Sequence, residues 1–434
     1  MQSRNFYAKD ILKIALPIIL GNLGFILIGV GDVVVAGRHS TVTLAAISLA
    51  TAITNCLMIL GIGILGSISA ILSNYRGEGR EIEKYFYPAL RFGIILATII
   101  CFLILCCIPL IERLGFEPQL TVMIKDYFFI TAFATFGGYL HCMAKEYLQA
   151  FEIVVFPNIL TIFCIFLNVA LNIILAFGCG CIPEMGAKGL AIASLITRYF
   201  MGLVLIAYCF KKVKIKCGKT HGFCHDLIKV GVPASLAVMI EFMGFNIIAV
   251  IMGRVSGIYA AAHNIMCTLT SVSFMIPLAL SNATAVKVGF ANGAKYYNSM
   301  KKYAFTCIKI SVGFMACSAL LIGMFAEFWT GLFTKDIELI KVCIPIAYVL
   351  CFFQVFDGLQ VSLAGIFKGM KQTRVVMLSN IIGYWFIAFP LGYVLAFKYN
   401  LNLLGFWIAL GVSAIVLCSI MLISMLMKFK KLES

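Results

Sequence analysis

Long apolar runs separated by short polar stretches organise this chain from end to end. The polar punctuation divides its 434 residues into twelve apolar segments, at about 10–37, 43–74, 85–110, 121–148, 157–177, 186–209, 227–253, 260–290, 300–325, 338–367, 375–398 and 402–427. A helix needs roughly 20 apolar residues to cross the hydrocarbon of a bilayer, and each run reaches that length. Several exceed it, which predicts tilt or projection into water. The runs do not alternate polar with apolar as barrel strands do, and a lone spanning segment must satisfy its own backbone polar groups. The pattern therefore predicts an all-α integral membrane protein with twelve transmembrane helices. The polar start, MQSRNFYAKD, precedes a run too long for a signal-peptide core, with no small-residue cleavage site closing it, so this run reads as a retained first span.

The pattern repeats. Shifted by 216 residues, ILKIALP at 11–17 lies on LIKVGVP at 227–233. Pro17 then meets Pro233, Gly37-Arg38 meets Gly253-Arg254, Ala45-Ala46 meets Ala261-Ala262, and Gly77 meets Gly293. Six spans per copy keep both copies parallel, which predicts two pseudo-symmetric six-helix bundles. The expected division is an N-terminal lobe over 1–210, a basic cytoplasmic linker over 211–226 and a C-terminal lobe over 227–434. Two similar bundles suggest a cavity that opens alternately to each side.

Composition strengthens the membrane reading. The chain is 62% hydrophobic and 12% charged, with mean hydropathy +1.04, whereas soluble domains carry about 25% charged residues. The net charge of +16 has a simpler source than nucleic acid. The loops on the side of the N-terminus hold 23 basic residues and the opposite side holds 8, with Arg91, Arg198 and Lys309 inside spans. That asymmetry predicts that both termini are cytoplasmic. The 17 cysteines are mostly scattered through apolar runs, without metal-type spacing, and read as small core hydrophobes. Cys179 and Cys181, one residue apart, have poor disulfide geometry. GKT at 218–220 lacks the upstream glycine of a phosphate loop, since position 213 is Val. No hydrolase signature is present and the loops are too short for an enzyme domain, so no enzyme and no organic cofactor is expected.

Three acids interrupt the apolar runs: Asp32 in the first, Glu241 in the seventh and Asp357 in the tenth. A charge near the bilayer centre costs at least ~2.5–3.5 kcal/mol on insertion scales, so such residues line a cavity or pair. Glu241 and Asp357 have no basic residue within two helical turns in sequence, and read as binding a coupling cation, a proton or a cationic substrate. Asp32 stands six residues before Arg38, so an ion pair with Arg38, or with Arg198, competes with a functional role. Under the repeat Asp32 maps to Ile248 and Glu241 to Phe25, so the halves share a scaffold and differ in charge. Na⁺ suits oxygen-rich surroundings, whereas a proton needs one carboxylate in a desolvated place. The residues alone leave both open. Asn168 and Asn172 share a face of the fifth span, as interhelical bonds or as cavity lining. His263 reads as structural, and Arg198 as an acid's partner or a rim residue.

GDVVVAGR in the first span, AAHNI followed by FMIPLALSNATAVKVG in the eighth, FDGLQVSLAGIFKGMKQT across the tenth and eleventh, and YWFIAFPLGYVLA in the eleventh together resemble the multidrug and toxic compound extrusion (MATE) family, in its NorM-like branch. The resemblance implies two six-helix lobes in a V, and antiport of Na⁺ or H⁺ against a drug. It implies that Glu241 and Asp357 match second-lobe acids linked to cation binding, with Na⁺ as the metal they would hold. Asp32 matches the acidic position of the first helix, and Gln360 a frequent neighbour of the ion site. Asp32, Asn168, Asn172 and Gln360 are the expected substrate-binding or gating residues. Relatives can carry a tyrosine one turn before Asp357, where this chain has Phe353, so one hydroxyl ligand is missing. The expectation is a monomeric Na⁺-coupled exporter of cationic amphipathic drugs or dyes in the bacterial inner membrane. H⁺ coupling, or a same-fold flippase of lipid-linked precursors, is the alternative.

Overall fold

The computed structural model describes residues 4–113, 115, 117–180, 182–218 and 220–433, without the side chains of Arg4, Asn5, Phe25, Ile26 and Glu433. Cys181, Lys219 and the side chain of Phe25, the repeat counterpart of Glu241, lie outside the described residues. Among the described residues twelve helices are long and apolar enough to cross a membrane: α1 Phe6–His39, α2 Thr41–Gly77, α3 Ile82–Glu112, α4 Pro118–Ala150, α5 Val155–Phe177, α6 Gly186–Lys212, α7 Phe223–Val255, α8 Gly257–Gly293, α9 Tyr297–Met324, α10 Ile337–Gly369, α11 Thr373–Lys398 and α12 Asn402–Leu432. These are the twelve spans read from the apolar pattern. Most are longer than a bilayer requires, because their polar ends continue as helix beyond the apolar run.

The 216-residue repeat is visible in backbone chemistry as well as in sequence. Ser40 caps α2 by accepting from Thr43 N at 3.0 Å, and Ser256 caps α8 by accepting from Ile258 N at 3.2 Å. At the far ends of the same helices, Arg80 N donates to Tyr75 O at 2.9 Å and Tyr296 N to Ala291 O at 2.8 Å. Such closures need a left-handed residue, supplied by Gly79 (φ 78°) in the first copy and Lys295 (φ 59°) in the second. A lysine there carries a steric cost that glycine avoids.

By packing, the chain divides into two compact units, Leu16–Ser235 and Met1–Ala15 with Leu236–Ser434. The packing units thus differ from the repeat copies at both seams. In the second unit, Asp10 accepts from Lys287 Nζ at 2.8 Å and from Tyr303 Oη at 2.5 Å, and the Tyr7 and Tyr303 rings meet edge-on with centroids 4.9 Å apart. In the first, Asp226 accepts from Tyr75 Oη at 2.9 Å. Asp10 and Asp226 are repeat equivalents, and each ties the start of its helix into a unit made mostly of the other copy. The basic segment at 211–226 is bonded within the first unit. Lys216 donates to Glu81 at 2.7 Å, and Lys84 also pairs with it. The bond from Lys216, with that from Lys84, holds the exposed Glu81 carboxyl well below its ordinary range, at about 2.

Each unit has its own core. Leu65, Phe86, Phe128 and Tyr139 are buried in the first, and Met266, Phe353, Phe367 and Trp407 in the second. Large apolar side chains such as Phe102, Phe166, Leu320 and Phe386 point outward, as lipid-facing surfaces require. Helices approach where one side chain is absent. Ser281 Oγ on α8 donates to Val361 O on α10 at 2.7 Å, and a Cβ on Gly365 would overlap both Ser281 O and its hydroxyl. Small residues permit this contact. Gly365→Ala is therefore expected to cost about 1–3 kcal/mol by overpacking, lowering the thermal unfolding midpoint in detergent. Gly313→Ala, where nothing lies within 4 Å of the added carbon, should leave the midpoint unchanged or raise it.

Candidate functional site

The second unit brings Glu241 of α7, Asp357 and Gln360 of α10, and Asn380 and Tyr384 of α11 into one cluster. Gln360 Nε2 donates to Glu241 Oε2 at 3.1 Å and lies 3.4 Å from Asn380 Oδ1. Asn380 Nδ2 in turn donates to Ala237 O at 3.1 Å, one turn before Glu241. Three helices are thereby linked by two amides. Tyr384 follows Asn380 by one turn; its hydroxyl lies close enough to Glu241 and Gln360 to interact with both, although among the described residues neither it nor the Gln360 side-chain oxygen has a partner within ordinary hydrogen-bond distance. Tyr384 interacts electrostatically with both acids. Glu241 and Asp357 are close enough that, if both were ionised, they would repel one another. Asp357 is 2% exposed, and among the described residues neither acid has an ion-pair partner.

The surroundings sharpen that charge imbalance. Phe353 meets Trp407 and Phe245 edge-on, with ring centroids 6.0 Å and 6.1 Å apart, and Phe245 lies 6.3 Å from Tyr384. His263 packs on Trp407, and its Nε2 faces Phe245 O at 3.0 Å, the geometry of an N–H donor. This aromatic wall offers the acids no cation and no water-like dielectric. Two carboxylates and the side-chain oxygens of Gln360, Tyr384 and Asn380 thus share one buried cluster, oxygens of the kind a hard cation takes. The hydroxyl absent at Phe353 is available from Tyr384 on another helix.

Helix α11 is unusual where it passes the cluster. Ile381–Ala388, which includes Tyr384, and Val394–Lys398 are π-helical, a form that is rare and concentrates at functional sites. Asn380 stands at the junction between α and π geometry.

The first unit holds Asp32 differently. Asn172 Nδ2 donates to Asp32 Oδ1 at 2.6 Å, and Ser194 Oγ lies 3.5 Å from Asp32 Oδ2. Asn172 Nδ2 also reaches Asn168 Oδ1 at 3.1 Å, and Asn168 Nδ2 lies 3.4 Å from Thr197 Oγ1. The two asparagines are fully buried, so their shared face is a polar ladder that ends on the carboxylate. Among the described residues Asp32 forms no ion pair, either with Arg38 or with Arg198. The Arg198 guanidinium instead donates to Met58 Sδ at 3.4 Å.

The expected residues thus fall into two separate groups. Glu241, Asp357 and Gln360 come together in one unit, and Asp32, Asn168 and Asn172 in the other. Sequence reasoning missed Asn380 and Tyr384, although they have the same four-residue spacing that drew notice to Asn168 and Asn172. It also missed Ser194 and Thr197. A fourth acid, Glu146 near the end of α4, is 9% exposed and accepts from Ser69 Oγ at 2.5 Å. It hides in sequence because the polar stretch around it reads as the end of a span.

Comparison with known proteins places the chain in a family. The MatE family model matches residues 17–174 and 233–394, one stretch in each half. "Probable multidrug resistance protein NorM" of Photorhabdus laumondii is 27% identical over 430 residues, covering 94% of each chain. The protein of the same name from Xanthomonas campestris is 30% identical over 414 residues, covering 92% of this chain and 89% of its own. The fold is similar to "Crystal structure of MATE in the straight conformation" with a TM-score of 0.90, 18% identity and coverage of 98% and 97%. It is also similar to "Outward-facing conformation of a multidrug resistance MATE family transporter of the MOP superfamily", with a TM-score of 0.87, 18% identity and coverage of 99% and 97%. With both halves matched and relatives aligned over nearly the full length, the chain belongs to the MatE family, as a NorM-like transporter.

Proposed function

We propose that this transporter exports amphipathic organic cations, drugs and dyes among them, in exchange for Na⁺, by alternating access across the bacterial inner membrane. The observation that carries the reading is the Glu241–Asp357 cluster, two acids within a membrane-spanning bundle with neutral oxygen donors around them and, among the described residues, no basic partner. An ion bound there offsets their mutual repulsion. A proton would meet the same need, but the three neutral oxygens from Gln360, Asn380 and Tyr384 favour an ion that takes several ligands. The relatives' names support drug cargo. Asp32, half-buried and held by neutral donors, is the acid that attracts the cation. Coupling then requires that ion and cargo prefer different conformations, since occupancy alone transfers no free energy. The 23-to-8 division of basic residues supports a cytoplasmic location for both termini.

Three outcomes test this. In everted vesicles with separately imposed Na⁺ and pH gradients, Glu241→Gln and Asp357→Asn are each expected to weaken Na⁺-driven ethidium efflux about tenfold or more, the scale of one lost charge-assisted ligand. Full activity in both variants removes the site assignment, and efflux driven by the pH gradient without Na⁺ makes H⁺ the coupling ion. Asp32→Asn keeps an oxygen for Asn172 but loses the charge, so ethidium KM should rise about tenfold with Na⁺ affinity unchanged. A green fluorescent protein fused after Ser434 should fluoresce, and alkaline phosphatase fused there should be inactive.

A further inference from the structure

Gln354 has no role in the mechanism above, yet it stands where an amide is costly. It is fully buried midway along α10, one turn before Asp357. Among the described residues neither its amide oxygen nor its amide nitrogen has a hydrogen-bond partner. Buried polar groups are almost always bonded, so an amide with both ends unpaired points to a ligand that the protein itself does not supply.

Contacts of the small residues fix what Gln354 faces. A Cβ on Gly323 of α9 would lie 3.2 Å from Cys351 Sγ, and one on Gly358 would lie 2.6 Å from Met315. The two helices are thus antiparallel here, and Ser318 of α9 comes level with Gln354. A Cβ on Gly365 would lie 2.3 Å from Ser281 Oγ, and one on Gly369 would lie 2.8 Å from Val288. So α8 and α10 run parallel, which brings Ser273 of α8 level with Gln354 as well. Ser273 Oγ and Ser318 Oγ are 3.0 Å apart, closing the triangle. Pro277, four residues after Ser273, has no N–H to give to the Ser273 carbonyl. Asp357 follows Gln354 by three residues, so the two are helix neighbours with Cβ atoms about 5–6 Å apart. Under the 216-residue shift Ser273 stands opposite Leu57 and Ser318 opposite Phe102, so this polarity belongs to the copy that holds the paired acids.

Neutral oxygens beside a carboxylate suit a hard cation. Charge gives that cation a purpose. With both acids ionised, one Na⁺ held by Glu241 and Asp357 leaves a negative charge in the middle of the span, which a second cation removes. We propose that the second unit has a second Na⁺ site, formed by Gln354, Ser273 and Ser318 beside Asp357, so that Asp357 lies between two bound ions. This rests on the Na⁺-coupled export reading and deepens it.

The test counts radioactive Na⁺ bound per chain at saturation, by scintillation proximity on purified full-length protein. Wild type is expected to bind two ions. Gln354→Leu, which removes the amide and keeps an apolar side chain of similar reach, should bind one, with the affinity of that ion unchanged. Ser273→Ala combined with Ser318→Ala leaves Gln354 in place and should weaken the second ion about tenfold while sparing the first. It carries the comparison if the leucine variant fails to assemble. A single ion bound by wild type overturns the proposal and leaves the export reading intact. Two ions at unchanged affinity in Gln354→Leu, or the loss of both, overturn it as well. Wild type that binds no Na⁺ removes the Na⁺-coupled reading itself.

Discussion

A polar group inside hydrocarbon has no water to bond with, and every feature of this protein is organised by that constraint. Backbone groups meet it by forming helices throughout the spans. Side chains meet it in two ways. Asp32 is supplied by neighbours in the same unit, with Asn172 and Ser194 on its oxygens and Asn168 and Thr197 behind them. Glu241 and Asp357 are under-supplied: one amide reaches Glu241, and Asp357 accepts nothing from the described residues. The difference between a satisfied acid and an unsatisfied pair separates the two clusters chemically, and the proposed division of roles rests on it.

Much of the fold was legible because the membrane makes sequence periodicity simple. Twelve apolar runs became twelve helices, and the 216-residue repeat reappeared in caps and turns that no apolar pattern encodes. The three acids stood out against their runs for the same reason. Their neighbours did not. Tyr384 and Asn380 are ordinary residues in sequence, and only the packing of α11 against α7 and α10 turns them toward Glu241. The ends of the spans were also hard to read, since polar helix ends look like loops, and Glu146 was overlooked there. The packing division at Ala15 and Ser235 depends on Asp10 meeting Lys287 and Tyr303 across nearly 300 residues of chain, which a local reading cannot see.

The repeat also shows how duplicated halves diverge. The scaffold positions are alike: capping serines, prolines within the helices, and the aspartates near the starts of α1 and α7. The charged positions in the spans are not. Asp32 stands opposite Ile248 and Glu241 opposite Phe25 under the 216-residue shift. One copy could acquire an acid without a matching change in the other because each unit has a core of its own.

The π-helical stretch in α11 has a further consequence. A π turn holds one more residue than an α turn, so Ile381–Ala388 stores backbone that an α-helix would spend on rotation. If the stretch reverts to α geometry, everything beyond it turns about the helix axis while the chain on the near side stays in place. Asn380 lies before the change and Tyr384 within it. Their angular separation therefore depends on the π form of this stretch. The direction of the Tyr384 hydroxyl relative to the two carboxylates is thus set by backbone geometry within a continuous span.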